Sequence, residues 1–238
     1  MPAPLLVFDL DGTLVDSAPD LLATLDIVLP RHGFAVAADQ ALRNGIGHGA
    51  RHLIEFALKR QQITIETPML DAIHRDFLVH YEANISVATR LIPGALGMLD
   101  RFAAAGWSFA VCTNKPERMS RLLLRDLGVL DRFAAVSGGD TFRHRKPDPA
   151  HLLDTIAAAS GSAKKAVMVG DSRTDLDTAR SAGIPFTGVT FGYTPVPMAA
   201  LEPDLIVADF DALLPFDAER LFELRDEPGA APSPAAMP

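Results

Sequence analysis

Leu5-Leu6-Val7-Phe8-Asp9-Leu10-Asp11-Gly12-Thr13 is the stretch that decides how this chain is read. Leu5 to Phe8 is a short, unbroken apolar run, the pattern of a strand buried on both faces. It stops on Asp9. Carboxylates at i and i+2, here Asp9 and Asp11, tend to leave an extended segment on the same side. Two such groups close together repel, and one is driven neutral unless a cation sits between them. A hard divalent ion fits. Mg²⁺ typically takes one or two carboxylates, with waters and a substrate phosphate completing its shell. Gly12 permits a sharp turn directly after the pair.

The same pattern of apolar run and turn residues recurs along the chain. Residues 108–112 end in Thr113-Asn114, and 133–136 end in Ser137-Gly138-Gly139-Asp140. Residues 166–169 end in Gly170-Asp171-Ser172, and runs at 186–190 and 205–207 follow. Helical patterns lie between them, at 94–105, 117–127, 150–159 and 175–182, each stopping at or near a glycine. Helix, glycine, strand, repeated, is the mark of a βα array with a parallel sheet. The interval from Asp16 to Arg90 has helical spacing and no strong strand. It reads as an all-helical insertion after the first strand. The expected fold class is therefore α/β: a Rossmann-like parallel-sheet core with a small inserted helical domain. Residues 1–15 and 91–225 form the core, 16–90 the helical domain, and 226–238, rich in proline and alanine, a disordered tail.

Bulk properties remove several functions. The 238 residues are 48% hydrophobic, enough for one large core or a main core and a smaller one. A net charge of −8 argues against a nucleic-acid surface. It also means that an anionic ligand needs local cations or a metal. The lone Cys112 sits in an apolar run, excludes an intramolecular disulfide, and reads as a small buried hydrophobe. No segment reaches the roughly 18 apolar residues of a membrane span. The first apolar run ends too early, at Asp9, for a signal peptide. A cytoplasmic location with no membrane partner is the expectation.

The second acidic element, Gly170-Asp171-Ser172-Arg173-Thr174-Asp175, also follows an apolar run. In open α/β sheets ligands bind outside the carboxyl ends of the strands, so both acidic elements should meet there. Lys146, in Arg145-Lys146-Pro147, and the pair Thr113-Asn114 join them. Carboxylates to hold a metal, with a lysine, a hydroxyl and an amide, are the equipment for moving a phosphoryl group. A single strand-end Asp is more often a turn or helix cap. The ordered combination is what points to chemistry. Asp175 has the plainer reading of helix N-cap, or partner to Lys146.

In these residues the chain resembles the haloacid dehalogenase superfamily, over almost its whole length apart from the tail. Within it, the stretches 8–20, 46–51, 113–116, 138–140 with 146–149, and 191–193 most resemble bacterial phosphoglycolate phosphatases. The resemblance implies that the helical insertion is a cap domain. It also implies an aspartyl-phosphate mechanism, with Asp9 as nucleophile and Asp11 as proton donor and acceptor. Mg²⁺ would be held by Asp9, Asp171 and the backbone carbonyl of Asp11. Thr113, Asn114 and Lys146 would bind the phosphoryl group, and Asp175 would support them. The implied partner is a small phosphorylated metabolite, 2-phosphoglycolate first, with the enzyme a monomer or homodimer. Gly47, His48 and Arg51, in the glycine-rich stretch of the insertion, are the candidates for substrate specificity. Arg51 or His48 could pair with a substrate carboxylate. The links at 16–18 and 90–93 are candidate hinges. A phosphatase for another small phosphometabolite or nucleotide, a β-phosphoglucomutase-like phosphotransferase and a non-catalytic phospho-switch module are the rival readings.

Overall fold

Apolar runs of this kind need cover on both faces, and the computed structural model, which describes residues 2–35 and 40–226, provides it. Its strands are β1 (Leu5–Phe8), β2 (Val15–Asp16), β3 (Arg90–Leu91), β4 (Ser108–Cys112), β5 (Ala135–Ser137), β6 (Ala166–Gly170), β7 (Phe186–Val189) and β8 (Leu205–Val207). Six of them form one sheet in the order β5-β4-β1-β6-β7-β8. Every neighbouring pair in that sheet is parallel. β1 is central, with Phe8 in register with Val111 on one side and Val169 on the other.

Successive side chains of a strand point to opposite faces, and the core divides accordingly. Leu6, Phe8, Phe109, Val111, Val167 and Val169 belong to one apolar cluster. Leu5, Val7, Ala110, Cys112, Ala166 and Met168 belong to the other. Helices α6 (Pro149–Ala158) and α7 (Arg173–Ala182) cover the second face through Leu152, Ile156 and Leu176. Helices α4 (Ala95–Ala104) and α5 (Glu117–Asp126) cover the first through Phe102 and Leu123. The first cluster runs on into the helices that follow β2, which are α1 (Ala18–Arg31), α2 (Ala50–Arg60) and α3 (Thr67–Ala83).

The chain leaves the sheet and returns to it through a two-stranded ribbon. β2 pairs antiparallel with β3, Val15 opposite Leu91 and Asp16 opposite Arg90. Beside this ribbon Asp20, buried in the first turn of α1, accepts hydrogen bonds from Ala88 N (2.9 Å), Thr89 N (2.8 Å) and Thr89 Oγ1 (2.7 Å). One carboxylate thus fastens the exit of the helical segment to its entrance.

The structure departs from the sequence reading in a few places, each with a local cause. The third run was expected at 133–136, but the strand is Ala135–Ser137. Phe133 instead ends a 3₁₀ turn and packs its ring on Phe109. Helix α7 starts at Arg173, two residues earlier than expected, because Ser172 and Asp175 form a reciprocal capping box. The interval read as lacking a strong strand is bounded by the two-residue strands β2 and β3. A further helix, α8 (Pro215–Asp226), brings Phe222 against the Trp107 ring, centroids 5.5 Å apart. Residues 227–238 of the expected disordered tail lie outside the described residues. No helix among the described residues is long and apolar enough to cross a membrane.

Asp20→Ala strips the two buried donors of Thr89 and the half-buried N–H of Ala88 of their acceptor, and unsatisfied buried donors cost about 1–3 kcal/mol each before relaxation. The expected loss of stability is about 3 kcal/mol, read from urea unfolding. A loss below about 1 kcal/mol would show that water replaces the carboxylate at no cost.

Candidate active site

Adjacent strands lie about 5 Å apart, so residues just beyond their carboxyl ends converge. Asp9 follows β1, Thr113 follows β4 and Asp171 follows β6, the three central strands. Asp175 comes from the first turn of α7, directly after Asp171. Lys146 arrives from the loop between β5 and α6. Its Nζ lies 2.8 Å from Asp9 Oδ1 and 2.7 Å from Asp175 Oδ1. All five groups are buried.

One oxygen from each of Asp9, Asp171 and Asp175 lies within 4.8 Å of the others. Three carboxylates against the one ammonium of Lys146 leave two negative charges in a buried space. The pKa values of these groups move accordingly. Burial, opposed by Lys146 and reinforced by Asp175, raises Asp9 to about 6. Burial together with Asp175 and Asp9 raises Asp171 to about 8. Burial works against the charge of Lys146, but Asp175 and Asp9 outweigh it, and its pKa moves up.

A divalent cation fits this set. Asp9 Oδ1 is buried and paired with the Lys146 ammonium at 2.8 Å, which leaves lone pairs on the carboxylate for an ion. Asp171 uses one oxygen for Thr13 Oγ1 (3.1 Å) and the other for Tyr193 N (2.8 Å), keeping lone pairs on both. Asp175 is more committed. Its Oδ1 takes Lys146, and its Oδ2 takes Ser172 N (3.0 Å) and Ser172 Oγ (2.6 Å). This is the geometry of a group that caps a helix and holds the lysine, which leaves Asp9 and Asp171 to face an ion. Backbone crowds Asp171 closely. A Cβ on Gly192 would lie 2.1 Å from Asp171 Cβ, and one on Gly12, at φ +85°, would meet Asp171 Oδ2 at 2.8 Å.

Asp11 points elsewhere. Its Oδ1 accepts Ser17 Oγ (2.6 Å) and Lys115 Nζ (3.0 Å), and its Oδ2 lies 3.3 Å from the same nitrogen. Lys115 also donates to Tyr81 Oη at 2.7 Å, from the far end of α3. Asp9, Asp11, Thr113, Lys115 and Tyr81 line one cavity, with Gly47 in its wall. Asn114 Nδ2 ties that wall down, donating to the carbonyls of Lys146 (3.2 Å) and Gly47 (3.4 Å).

Of the residues singled out in the sequence, Asp9, Asp11, Thr113, Lys146, Asp171 and Asp175 therefore come together, and Gly47 joins them. His48 and Arg51 do not line the cavity. His48 contacts Thr174 Oγ1 at 3.2 Å, and its pKa is lowered by burial and then by His52, so its ring is neutral near pH 7. Arg51 is bound to Asp71 on the facing helix α3, with Glu55 one helical turn away. Burial pushes the Cys112 thiol up to about 12, which makes it an inert core residue. Lys115, Tyr81 and Ser17 were missed as site residues. Lys115 directly after Thr113-Asn114, at a strand end, was the available signal.

The model of the haloacid dehalogenase-like hydrolases matches residues 6–189. A phosphoglycolate phosphatase of Mesorhizobium japonicum is 46% identical over 221 residues, covering 93% of this chain and 97% of its own. A phosphoglycolate phosphatase of Agrobacterium fabrum is 43% identical, covering 96% of this chain and 97% of its own. Among solved structures, that of a predicted phosphoglycolate phosphatase from Haemophilus somnus is 31% identical. It superposes with a TM-score of 0.80 over 87% of this chain and 95% of that one.

Without metal, the folded chain holds protons on Asp9 and Asp171 that the unfolded chain has already released. Folded protein then binds more protons from about pH 4 to about pH 8, and stability falls as pH rises through that window. The melting temperature of chelated wild type should drop more steeply between pH 5 and 8 than that of Asp171→Asn, and added Mg²⁺ should stabilise wild type most at the upper end. Parallel profiles for the two proteins would contradict the repulsion inferred for the cluster.

Proposed function

The chain belongs to the haloacid dehalogenase-like hydrolase family, and on that footing we propose that it is a Mg²⁺-dependent phosphatase of small phosphate monoesters, 2-phosphoglycolate first among them. The observation that carries this reading is the convergence of Asp9, Thr113, Lys146 and Asp171 at the open edge of the sheet, with Asp9 Oδ1 buried beside the Lys146 ammonium. The names of the relatives supply the substrate.

In this reading Asp9 attacks phosphorus and forms an aspartyl-phosphate. That divides one very slow displacement into two faster ones. Asp11 protonates the departing oxygen, then takes a proton from the water that cleaves the acyl phosphate. Ser17 and Lys115 hold its carboxylate in place. Lys146 and Thr113 stabilise charge on the phosphoryl oxygens, and Asp175 fixes the lysine. Asp9, Asp171 and the Asp11 carbonyl would hold Mg²⁺, which when bound neutralises the carboxylates and charge on the phosphate. The helical segment 16–90 acts as a cap. Its bonds to the core, Lys115 to Tyr81 and Ser86 Oγ to Asp126 (2.7 Å), would be made and broken as the cap closes and opens about the β2–β3 ribbon.

Asp9→Asn should lower phosphoglycolate turnover at least about 1,000-fold while leaving the far-ultraviolet spectrum and melting temperature near wild type. Retention of more than about a tenth of the wild-type rate would remove Asp9 as nucleophile. EDTA should abolish activity and Mg²⁺ restore it; a rate that survives thorough chelation counts against the metal.

A further inference from the structure

The phosphatase reading leaves open what recognises the leaving group, and the cavity narrows the choice. Beyond the acids Asp9 and Asp11, its wall is largely apolar, including Leu21, Ile46, Leu53 and Phe77. A ligand carboxylate buried there would be costly without a cation. Among the described residues that line the cavity, Lys115 is the one cation. It is 5% exposed, and its ammonium is held between Asp11 and Tyr81 Oη and sits 4.4 Å from the Tyr81 ring centroid. Arg51, the other candidate for this task, is engaged outside the cavity by Asp71 and Glu55.

We propose that Lys115 and the hydroxyl of Tyr81 receive the carboxylate of the leaving group, and so set a preference for phosphate esters with a carboxylate one carbon from the ester oxygen. The inference rests on the phosphatase reading for the placement of phosphorus at Asp9. Asp11 Oδ1 stands 3.0 Å from Lys115 Nζ, so a leaving oxygen that meets Asp11 puts a carboxylate one methylene away within reach of the ammonium. Tyr81 accepts a hydrogen bond from Lys115 and keeps its own hydroxyl proton to donate. Burial raises its pKa to about 12, which keeps that proton in place. A longer leaving group would carry its carboxylate past the pair into the apolar wall. A neutral one would leave the ammonium with no added partner.

The test compares 2-phosphoglycolate with ethyl phosphate, which lacks the carboxylate, in wild type, Lys115→Met and Lys115→Arg. Lys115→Met should slow both esters, because Lys115 also holds Asp11, but cut kcat/KM for phosphoglycolate at least about tenfold more than that for ethyl phosphate, the extra loss appearing mainly in KM. Lys115→Arg should keep the preference. Equal losses on both esters would mean that Lys115 only orders Asp11, and would overturn the inference. A binding measurement on wild type stands apart from the folding of any variant. In the presence of Mg²⁺, 3-phosphonopropionate should bind about 100-fold tighter than propylphosphonate by calorimetry. Equal affinities would overturn the inference. If wild type hydrolyses no phosphate ester, the phosphatase reading fails, and the ratio of the two phosphonate affinities, high in wild type and lost in Lys115→Met, still decides the role of Lys115.

Discussion

Three buried carboxylates crowd together at the open edge of the sheet with the Lys146 ammonium bound to two of them, and much else in this molecule serves that arrangement. Asp9, Asp171 and Asp175 would repel one another apart, or take up protons, if Lys146 alone had to balance them. The fold holds them together by fixing the backbone beneath each. Asp9 is carried by the central strand and anchored through its N–H to Val169 O at 2.9 Å. Asp175 is locked by the capping box of α7. Asp171 is hemmed in by two glycines and by Tyr193 N. A cluster with surplus negative charge, held rigidly, is a ready site for a divalent cation and for a phosphoryl group bound through it.

The same charge cluster is linked mechanically to the helical segment. Tyr193 donates its backbone N–H to Asp171, while its hydroxyl donates to Asp16 Oδ1 (2.7 Å) and accepts from Ala18 N (3.0 Å), where the chain departs for α1. From the other side, Lys115 joins Asp11 to Tyr81 on α3. Core and helical segment therefore meet through polar contacts at the cavity, and through the continuous apolar cluster that includes Leu21, Leu53 and Phe77 behind it. On this view a ligand that alters the charge at Asp171 or Asp11 also alters the contacts that hold the two parts together.

The parallel sheet was legible in the sequence because strands buried on both faces leave continuous apolar runs, and the strands at 5–8, 108–112 and 205–207 stand where those runs are. The acidic motifs were legible for a related reason. Charged residues that end an apolar run have nowhere to go but the strand's open end. What escaped were features without periodicity or with long-range causes. β2 and β3 are too short to show a period, and exist because each completes the other across a separation of over seventy residues. Helix α8 announces itself weakly, since Phe216 is exposed while Ala218 and Leu221 are buried. Arg51 looked free in the sequence because nothing local shows that Asp71 will stand opposite. Lys115 was missed because its burial depends on Tyr81, which reaches it from a helix more than thirty residues away in the chain.

Chemical trapping at the nucleophile tests the central claim most directly. Wild-type protein mixed with 2-phosphoglycolate and Mg²⁺, quenched in acid on the millisecond scale and reduced with borohydride, should yield homoserine in place of Asp9 when its peptides are sequenced by mass spectrometry. An acyl phosphate is reduced in this way and a free carboxylate is not. Homoserine at another carboxylate, or none during a demonstrated burst of turnover, would contradict the assignment of this cluster as a site of phosphoryl transfer to Asp9.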